Sequence, residues 1–359
     1  MEEERVLKQS LGIDVSKDSL SFCLGFLKAN LEKEFIQGKD VSNDKKGFKE
    51  LTKWLKAFSC KKSSPIIVME ATGVYHEQVA HYLYAHHYDV CIMQSGRVKK
   101  YAQSLDQRSK TDALDSKMLS MLGCERKITP WTPPSKTLEE LKFLSRERSK
   151  LVKERSREKN QYHAMTASSY AFKKAVKRYK KRIQLLTIQI TEIEAEMQEI
   201  VNKDSVLTDK MNLLKSIPGL SFISIATVVA ETSGFSLFTS AKQLVSYSGY
   251  DIVLRESGNY RGKTRISKKG NKHIRAVLHM PSMTAIRVNP TLKPFYNRLK
   301  PKKLKPLIAL VAVQRKLLIL MYSLWKNNEF YDPKYEIKKA ARKQVPAAQD
   351  RNKISFVTS

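Results

Sequence analysis

A chain of 359 residues allows two or three domains with a substantial core, and 42% hydrophobic residues exclude a mainly disordered protein. Lysine and arginine total 66 against 35 acidic residues, a formal net charge of +31, which predicts a polyanionic partner, most simply nucleic acid. Solubility alone or an anionic membrane explains so large an excess less well. Four widely spaced cysteines match neither zinc-site nor redox spacing and indicate buried thiols in a reducing compartment.

The first third of the chain alternates strand and helix signals. The stretches "LGIDVS" and "SLSFCLGF" predict a β-hairpin, with Asp14 in the middle of its first strand. The apolar run "PIIVME" predicts a buried parallel strand that ends at Glu70. A helix in "VYHEQVAHYLYAHH" and a strand in "YDVCIMQ" complete a strand–helix–strand unit, for which we expect a right-handed crossover.

The next helix carries the motif "SKTDALDSKML", whose two aspartates lie three residues apart on one helix face. Two neighbouring carboxylates repel each other unless a cation lies between them, and hard divalent ions prefer oxygen ligands. A solvated helix N-terminus, where aspartate interacts favourably with the helix dipole, is the alternative. For Asp14 and Glu70 the alternative is a salt bridge to a lysine or arginine. Taken together, the order of these four acids matches an RNase H-like nuclease core.

Beyond residue 130 the residue pattern of the sequence changes. The stretch "ITPWTPPSK" predicts a linker, and from Leu138 to Asp204 the chain has neither proline nor glycine. Two long antiparallel helices are the simplest interpretation, packed either on their own chain or on a second copy. The second helix carries an apolar seam with 4-3-4-3 spacing, typical of a coiled coil: Phe172, Val176, Tyr179, Ile183, Leu186, Ile190, Ile193, Met197 and Ile200.

A third, mostly helical region follows. Its most apolar stretch, "PLIALVAVQRKLLILMYSLW", is interrupted by Gln314, Arg315 and Lys316 and therefore predicts a packed helix rather than a membrane span. The basic C-terminal stretch lacks apolar periodicity and predicts a mobile tail. We therefore expect an α/β domain over residues 1–130, a linker and coiled-coil helices over 131–210, a helical domain over 211–330 and a tail over 331–359.

The chain resembles the DEDD-type insertion-sequence transposases, which have a RuvC-like N-terminal domain and a C-terminal serine transposase domain, and the related Piv-type DNA invertases. The resemblance lies in "GIDVSKDSL", "VMEATGVYHEQVAHYL", "KTDALDSKML", "IPGLSFISIATVVAE", "QLVSYSGY" and "ESGNYRGKTRISKKGNKHIRAVL", which follow the family order. It implies a RuvC-like RNase H fold, and it implies that Mg²⁺ or Mn²⁺ is bound by four catalytic carboxylates: Asp14, Glu70, Asp112 and Asp115.

A serine in the basic third region is the other candidate. By chemistry alone Ser257 is one serine among many, and the pair that it forms with Gly258 is most often a turn. The family carries a catalytic serine in a Ser-Gly pair at this place, so the resemblance implies that Ser257 forms a transient phosphoserine bond to DNA. The weaker candidates are Ser248 and Ser267. We expect the surrounding basic residues to bind the phosphate backbone of the nucleic acid: Arg255, Arg261, Lys263, Arg265, Lys268, Lys269, Lys272 and Arg275.

The resemblance further implies the partners: donor and target DNA, a structured non-coding bridge RNA, and other copies of the chain in a dimer that becomes a tetramer when active. The charged N-terminus has no apolar segment of a signal peptide, so we expect a bacterial or archaeal protein of the cytoplasm, associated with the nucleoid and not with a membrane. A transposase is the leading hypothesis. A Piv-type invertase, a non-catalytic nucleic-acid-binding protein and a junction resolvase are the alternatives.

One motif departs from the family pattern. Pro218-Gly219 resembles the turn of a helix-hairpin-helix element, whose backbone amides contact phosphate. Relatives commonly have a second glycine two residues after Gly219, where this chain has Ser221. A purely structural helix turn is therefore at least as good an interpretation of this motif.

Overall fold

The computed structural model describes residues 5–60, 63–105, 109, 111–170, 172–254, 256–258, 260–262, 265–302 and 305–335, with the side chains of all but 261 and 302. The chain forms two compact units, Met1–Pro133 and Pro134–Ser359. The finer division of the second unit at residue 210 stays a prediction. Most of the expected mobile tail, residues 336–359, lies outside the described residues.

The first unit is a mixed sheet with helices. Its elements are β1 (Val6–Val15), β2 (Ser19–Lys28), β3 (Lys33–Gln37), β4 (Val41–Ser42), α1 (Lys45–Phe58), β5 (Ile66–Glu70), α2 (Glu77–Ala85), β6 (Val90–Met93), α3 (Ser95–Ser104) and α4 (Asp112–Glu125). The strand order is β3-β2-β1-β5-β6, antiparallel from β3 to β1 and parallel from β1 to β6, with β4 also on β2. This topology confirms the predicted hairpin, the buried parallel strand and the RNase H-like class.

Helix α4 lies against the sheet at unusually close range. A β-carbon added to Gly12 of β1 would lie only 2.1 Å from the carbonyl oxygen of Ser116, so this glycine is what lets the helix backbone reach the strand. The hydroxyl of Ser120 donates to the carbonyl of Ser10 at 2.8 Å. A β-carbon on Gly123 would in turn meet the Ser10 side chain. Small residues on both elements therefore fix the position of α4 across β1.

The second unit is mostly helical. Its elements are α5 (Lys136–Ala167), α6 (Lys173–Lys203), α7 (Ser205–Lys215), α8 (Phe222–Glu231), α9 (Ala241–Tyr247), β7 (Ile252–Val253), β8 (Glu256–Ser257), β9 (Tyr260–Arg261), β10 (Arg265–Ile266), α10 (Lys272–Val277), α11 (His279–Val288), α12 (Leu292–Leu299), a 3-10 turn (Lys300–Lys302) and α13 (Pro306–Asn327). The expected pair of long helices is confirmed in α5 and α6.

The apolar seam of α6 packs within its own chain. Ile193 and Met197 join the core of the second unit, and Ile190 is only 4% exposed. Cross-helix ion pairs between α5 and α6 fix the register, with Arg148 Nε 2.6 Å from the Glu194 carboxylate and Arg182 Nε 2.7 Å from that of Glu158. Of the two alternatives that the heptad spacing left open, the structure therefore shows the intrachain hairpin over the C-terminal half of the seam.

Burial of the seam predicts how it responds to a charge. Ile190→Asp places a carboxylate in an apolar interface, and we expect the free energy of unfolding to fall by roughly 3 kcal/mol or more. Leu185→Asp is the matched control, because Leu185 lies on the same helix and is 55% exposed. Chemical denaturation with light scattering checks this. A fully stable Ile190→Asp protein of lower molecular mass would show that the seam joins two chains instead.

Helix α13 is the one helix in the described part of the chain that is long and apolar enough to cross a membrane by length and composition. Most of its buried residues, among them Val313, Leu317 and Met321, belong to the core of the second unit. Gln314, buried at its centre, accepts a hydrogen bond from the Tyr250 hydroxyl at 3.0 Å. The prediction of a packed helix is confirmed, because one side of α13 is buried in the core of its own unit.

Candidate active site

Asp14 and Glu70 lie beside each other at one end of the sheet. Strands β1 and β5 are parallel neighbours, and Ile13 pairs with Met69. The next residue on each strand is the carboxylate, and both side chains are partly buried. The register thus places two acids at the carboxyl ends of adjacent parallel strands, which is where open α/β sheets place their sites.

The first turn of α4 reaches the same end of the sheet. Gly123 lies against Ser10, and Ser116 lies against Gly12, so the helix runs antiparallel to β1. Asp14 is four residues beyond Ser10, about 13 Å along the strand, and a helix covers that distance in about nine residues. Counting nine residues back from Gly123 along α4 leads to Leu114, which lies in the first turn of the helix. Because alternate strand residues share a face, Asp14 also lies on the face that α4 covers.

Asp112 and Asp115 occupy that first turn. Thr111 caps the helix, since its hydroxyl accepts from the amide of Leu114 at 3.2 Å and its carbonyl from that of Asp115 at 2.9 Å. Asp112 is exposed and Asp115 is partly buried. The favourable interaction of aspartate with a helix N-terminus therefore explains the positions of Asp112 and Asp115 as well as metal binding does.

The four acids share one end of the sheet without forming a closed ligand group. Among the residues that the structure describes, no three histidine, cysteine or acidic side chains are arranged to hold a metal ion. Asp14 and Asp115 are both engaged in polar or electrostatic contacts. The donor set nonetheless fits a hard divalent cation in its chemistry, because every candidate ligand is a carboxylate oxygen.

Ser257 lies near the tip of a β-ribbon in the second unit. Val253 pairs with Arg265 in one two-stranded ladder, and Ser257 pairs with Tyr260 in a second. The two ladders together are called the ribbon, and the first of them its base. Gly258, which follows Ser257, has a φ of +53°, a left-handed backbone conformation that glycine adopts readily. Ser257 is exposed, and a β-carbon on Gly258 would meet no atom within 4 Å. The hydroxyl of Ser257 is thus presented to solvent.

The two weaker serine candidates have different surroundings. Ser248 is completely buried, and its hydroxyl has no hydrogen-bond partner among the described residues. A phosphodiester cannot reach it without local unfolding. Ser267 is partly buried and accepts a weak hydrogen bond from the amide of Lys269 at 3.3 Å. Access to solvent therefore favours Ser257.

Two glycine-containing turns form the base of the ribbon. A β-carbon on Gly270 would lie 2.3 Å from the carbonyl oxygen of Tyr247 and 2.7 Å from the amide of Gly249. The amide of Asn271 donates to the same Tyr247 carbonyl at 2.7 Å. The "YSGY" and "SKKGN" segments, which lie on either side of Ser257 in the sequence, are therefore packed against each other.

A buried ion pair holds this base to α5 and α8. Glu231, at the end of α8, accepts from Arg146 Nε at 2.6 Å and Nη2 at 2.9 Å, and from Asn271 Nδ2 at 2.7 Å. Burial alone would raise the pKa of the Glu231 carboxyl, but these hydrogen bonds outweigh it and lower the pKa below its ordinary value. We did not predict this group from the sequence, where its one signal is the single acid that ends the apolar helix "FISIATVVAE".

Removing the charge of Glu231 should destabilise the second unit. We expect Glu231→Gln to cost roughly 2–4 kcal/mol, less than for a fully buried pair because Arg146 is 42% exposed. The lowered pKa stabilises the folded state above about pH 4.5 and stops doing so as the pH falls through the folded value, so the difference from the wild type should shrink in acid. Thermal melts across pH check this. The control Glu199→Gln, in an exposed pair with Lys203, should melt like the wild type.

The basic residues that we expect to bind phosphate differ in their surroundings. Arg275 is tied to the ribbon base, because its Nη1 donates to the Ser248 carbonyl at 2.8 Å. Arg255, Lys263 and the side chain of Arg261 lie outside the described residues. The remaining four are exposed at the surface of the second unit: Arg265, Lys268, Lys269 and Lys272.

The comparisons with known proteins cover both units. The family profile of IS110-type DEDD transposases matches residues 11–170, and that described as the transposase IS116/IS110/IS902 family matches residues 211–297. The pilin gene-inverting protein of Moraxella bovis is 29% identical over 328 residues, which are 90% of this chain and 98% of that protein. An uncharacterized 42 kDa protein of insertion element IS900 from Mycobacterium paratuberculosis is 22% identical over 48% of this chain and 43% of its own length.

Proposed function

Because this chain belongs to the IS110-type family of DEDD transposases, enzymes that cleave and transfer DNA strands, we propose that it excises and inserts its own element through a covalent serine–DNA intermediate. The hydroxyl oxygen of Ser257 attacks a phosphodiester. An Oγ–P bond forms, the bond from phosphorus to the leaving deoxyribose oxygen breaks, and the serine proton passes to that oxygen. Attack by a deoxyribose hydroxyl of the recipient strand then reverses these changes and releases the serine.

The observation that carries the proposal is the shared position of four carboxylates at one end of the sheet. The register of β1 with β5 supports it for Asp14 and Glu70, and the antiparallel packing of α4 on β1 supports it for Asp112 and Asp115. So many acids in one place are unfavourable in a chain that must approach DNA, unless cations neutralise them. Their placement is therefore better explained by metal binding than by four separate structural roles.

We assign Asp14, Glu70, Asp112 and Asp115 as the ligands of Mg²⁺ or Mn²⁺, which would act as a Lewis acid at the phosphodiester oxygens. The exposed residues Lys268, Lys269 and Lys272 would hold the flanking phosphates. The ribbon would present Ser257 to the DNA, and the hydrogen bond between Asn271 and Glu231 would fix the segment next to its base.

The partners and setting follow from the same proposal. A net charge of +31 exceeds what a single short DNA contact requires, and it suits an assembly that also binds a structured bridge RNA. Recombination joins two duplexes, so the working form would be a dimer that pairs into a tetramer. We place this assembly on the nucleoid in the cytoplasm of a bacterium or archaeon.

Site-specific DNA inversion is a second candidate function. The observation that favours it is the match to a pilin gene-inverting protein over 98% of that protein's length. The proposed catalytic residues would serve both reactions, because inversion and transposition differ in the arrangement of their DNA sites. Sequencing the DNA on both sides of the gene separates the two, since a mobile element has defined ends and empty sites elsewhere.

We expect the carboxylates and Ser257 to act across chains, because they lie in different units and the reaction brings several chains together. An Asp112→Ala/Asp115→Ala protein and a Ser257→Ala protein should each be inactive alone. Mixed, they should recover part of the recombination activity, because some sites then contain both intact halves. If mixed oligomers form but stay inactive, the site is assembled within one chain.

A further inference from the structure

A cavity of about 520 Å³ opens among four helices of the second unit. Its lining includes Arg148 and Lys153 of α5, Ile223 of α8 and His273 of α10, and Gly219 of the Pro-Gly turn borders it. This volume lies in the range of small-molecule sites and exceeds what a lone phosphate group fills. None of the proposed catalytic residues lines it.

The cavity favours an anion. None of the described residues that line it is acidic. The Arg148 guanidinium is held by its Nε donating to Glu194, which uses one of its five N–H donors. Lys153 is exposed and lies five residues further along α5. Burial lowers the pKa of the His273 imidazole, which favours the neutral ring with one donor and one acceptor nitrogen.

The start of α8 adds partial positive charge to the same cavity. Ser221 caps this helix by accepting from the amide of Ser224. The other amides of a first helical turn have no intrahelical acceptor and face outward along the axis. Gly219, with φ of +104°, turns the chain into the helix close against α11. The serine that departs from the family pattern is therefore the N-cap of a helix that opens onto the cavity.

The rest of the lining is apolar with a hydroxyl rim. Val152, Ile223, Met280 and Pro281 supply apolar surface, and hydroxyl groups such as that of Thr284 lie among them. An inorganic anion gains nothing from such a wall, whereas the flat face of a nucleobase packs on it. A base is available for this only where it is unstacked, as in a single strand or a flipped position.

We infer that this cavity binds one unstacked nucleotide of a single-stranded segment, with its phosphate toward Arg148 and Lys153 and its base against Ile223 and Met280. The inference rests on the proposed function, because it assigns part of the recombining nucleic acid to this place. The cavity would add one specific nucleotide contact to the sequence-independent binding of phosphates by the surface lysines. It also predicts a preference of the intact protein for single strands over a duplex of the same sequence.

Two pairs of matched variants of the full-length protein test this. Thr284→Trp fills the cavity from its exposed rim, and Val288→Trp adds the same side chain one turn away on α11, where the native residue is 57% exposed. Lys153→Glu reverses a charge at the cavity, and Lys150→Glu makes the same change on an exposed part of α5 that does not line it. The probes are fluorescent RNA and DNA single strands of one sequence, about 12 nucleotides long.

Fluorescence anisotropy should show Thr284→Trp binding about tenfold more weakly than Val288→Trp, the scale of one lost base contact. The slope of affinity against salt should change by no more than one phosphate contact, because no charge of the protein is altered. Lys153→Glu should bind more weakly than Lys150→Glu. The strand type with the larger loss identifies the nucleotide as RNA or DNA, and equal losses mean that the sugar is not read.

Three results would overturn the inference, and they differ. If the wild type binds both strands but each variant binds like its control, the cavity does not hold a nucleotide and the proposed function is untouched. If the wild type binds neither single strand but still binds duplex donor DNA, the inference fails alone, and if it binds no nucleic acid at all, the proposed function fails with it. Thermal melting verifies that the tryptophan variants fold. If Thr284→Trp does not fold, the comparison of Lys153→Glu with Lys150→Glu decides whether the cavity binds a nucleotide.

Discussion

Ser257→Ala should abolish recombination, with a fall of at least about 10⁴-fold in strand cleavage, because removal of a nucleophile leaves only binding and electrostatic effects. The protein should still fold, since Ser257 is exposed near the tip of a ribbon and supports no core contact that the structure describes. Cleavage of a labelled donor DNA, together with recombination counts in cells, measures the effect.

The matched control is Ser267→Ala, a serine of the same basic segment that lies closer to the ribbon base. It should retain most of the wild-type activity. Ser248→Ala removes a buried hydroxyl without a partner among the described residues and should be neutral or mildly stabilising. Full activity in Ser257→Ala, or its loss in Ser267→Ala alone, would move the nucleophile elsewhere.

Neutralising one carboxylate at the end of the sheet should have a comparable effect. We expect Asp115→Asn to lower cleavage by about 10³-fold or more, because an amide is a poor ligand for a hard divalent ion whose charge stabilisation is then lost. Without metal, removal of one of several like charges should leave the melting temperature equal or higher. The melting temperature of the wild type should rise when Mg²⁺ or Mn²⁺ is added, and that of the variant should rise less.

The control for this change is Glu50→Gln, which removes an exposed carboxylate from α1 in the same unit. It should keep both the activity and the response of the melting temperature to metal. If Asp115→Asn recombines DNA at the wild-type rate, the acids at the end of the sheet have structural roles only, and the interaction of Asp115 with the helix dipole would explain its position.

The sequence predicted the first unit well because its signals are local. The alternation of Leu20, Phe22 and Leu24, and the uninterrupted run that ends at Glu70, correctly predict strands. The alternation is typical of a half-buried strand, but β2 is buried on both faces from Leu20 to Phe26 because α4 packs across it as well as across β1. The position of α4 over β1 depends instead on close packing at Gly12 and Gly123, and such long-range contacts leave no periodic trace. The distances among the four carboxylates depend on side-chain rotamers and bound cations, which periodicity does not encode.

The second unit was harder to predict, for reasons that differ from place to place. A heptad seam requires an apolar partner, but the spacing does not say whether the partner is α5 or another chain. The ribbon that carries Ser257 has strands of two residues, too short for any alternation to be visible. The hydrogen-bonded ion pair between Arg146 and Glu231 joins residues 85 positions apart, and no local sequence pattern predicts it.

The position of the covalent link between protein and DNA tests the role of Ser257 most sharply. Wild-type protein is incubated with donor DNA and Mg²⁺, denatured, digested with nuclease and protease, and analysed by mass spectrometry. We expect a nucleotide on the peptide that contains Ser257, no such peptide in Ser257→Ala, and almost none in Asp115→Asn. A nucleotide on a different residue, or full strand cleavage without any covalent protein–DNA species, would contradict it.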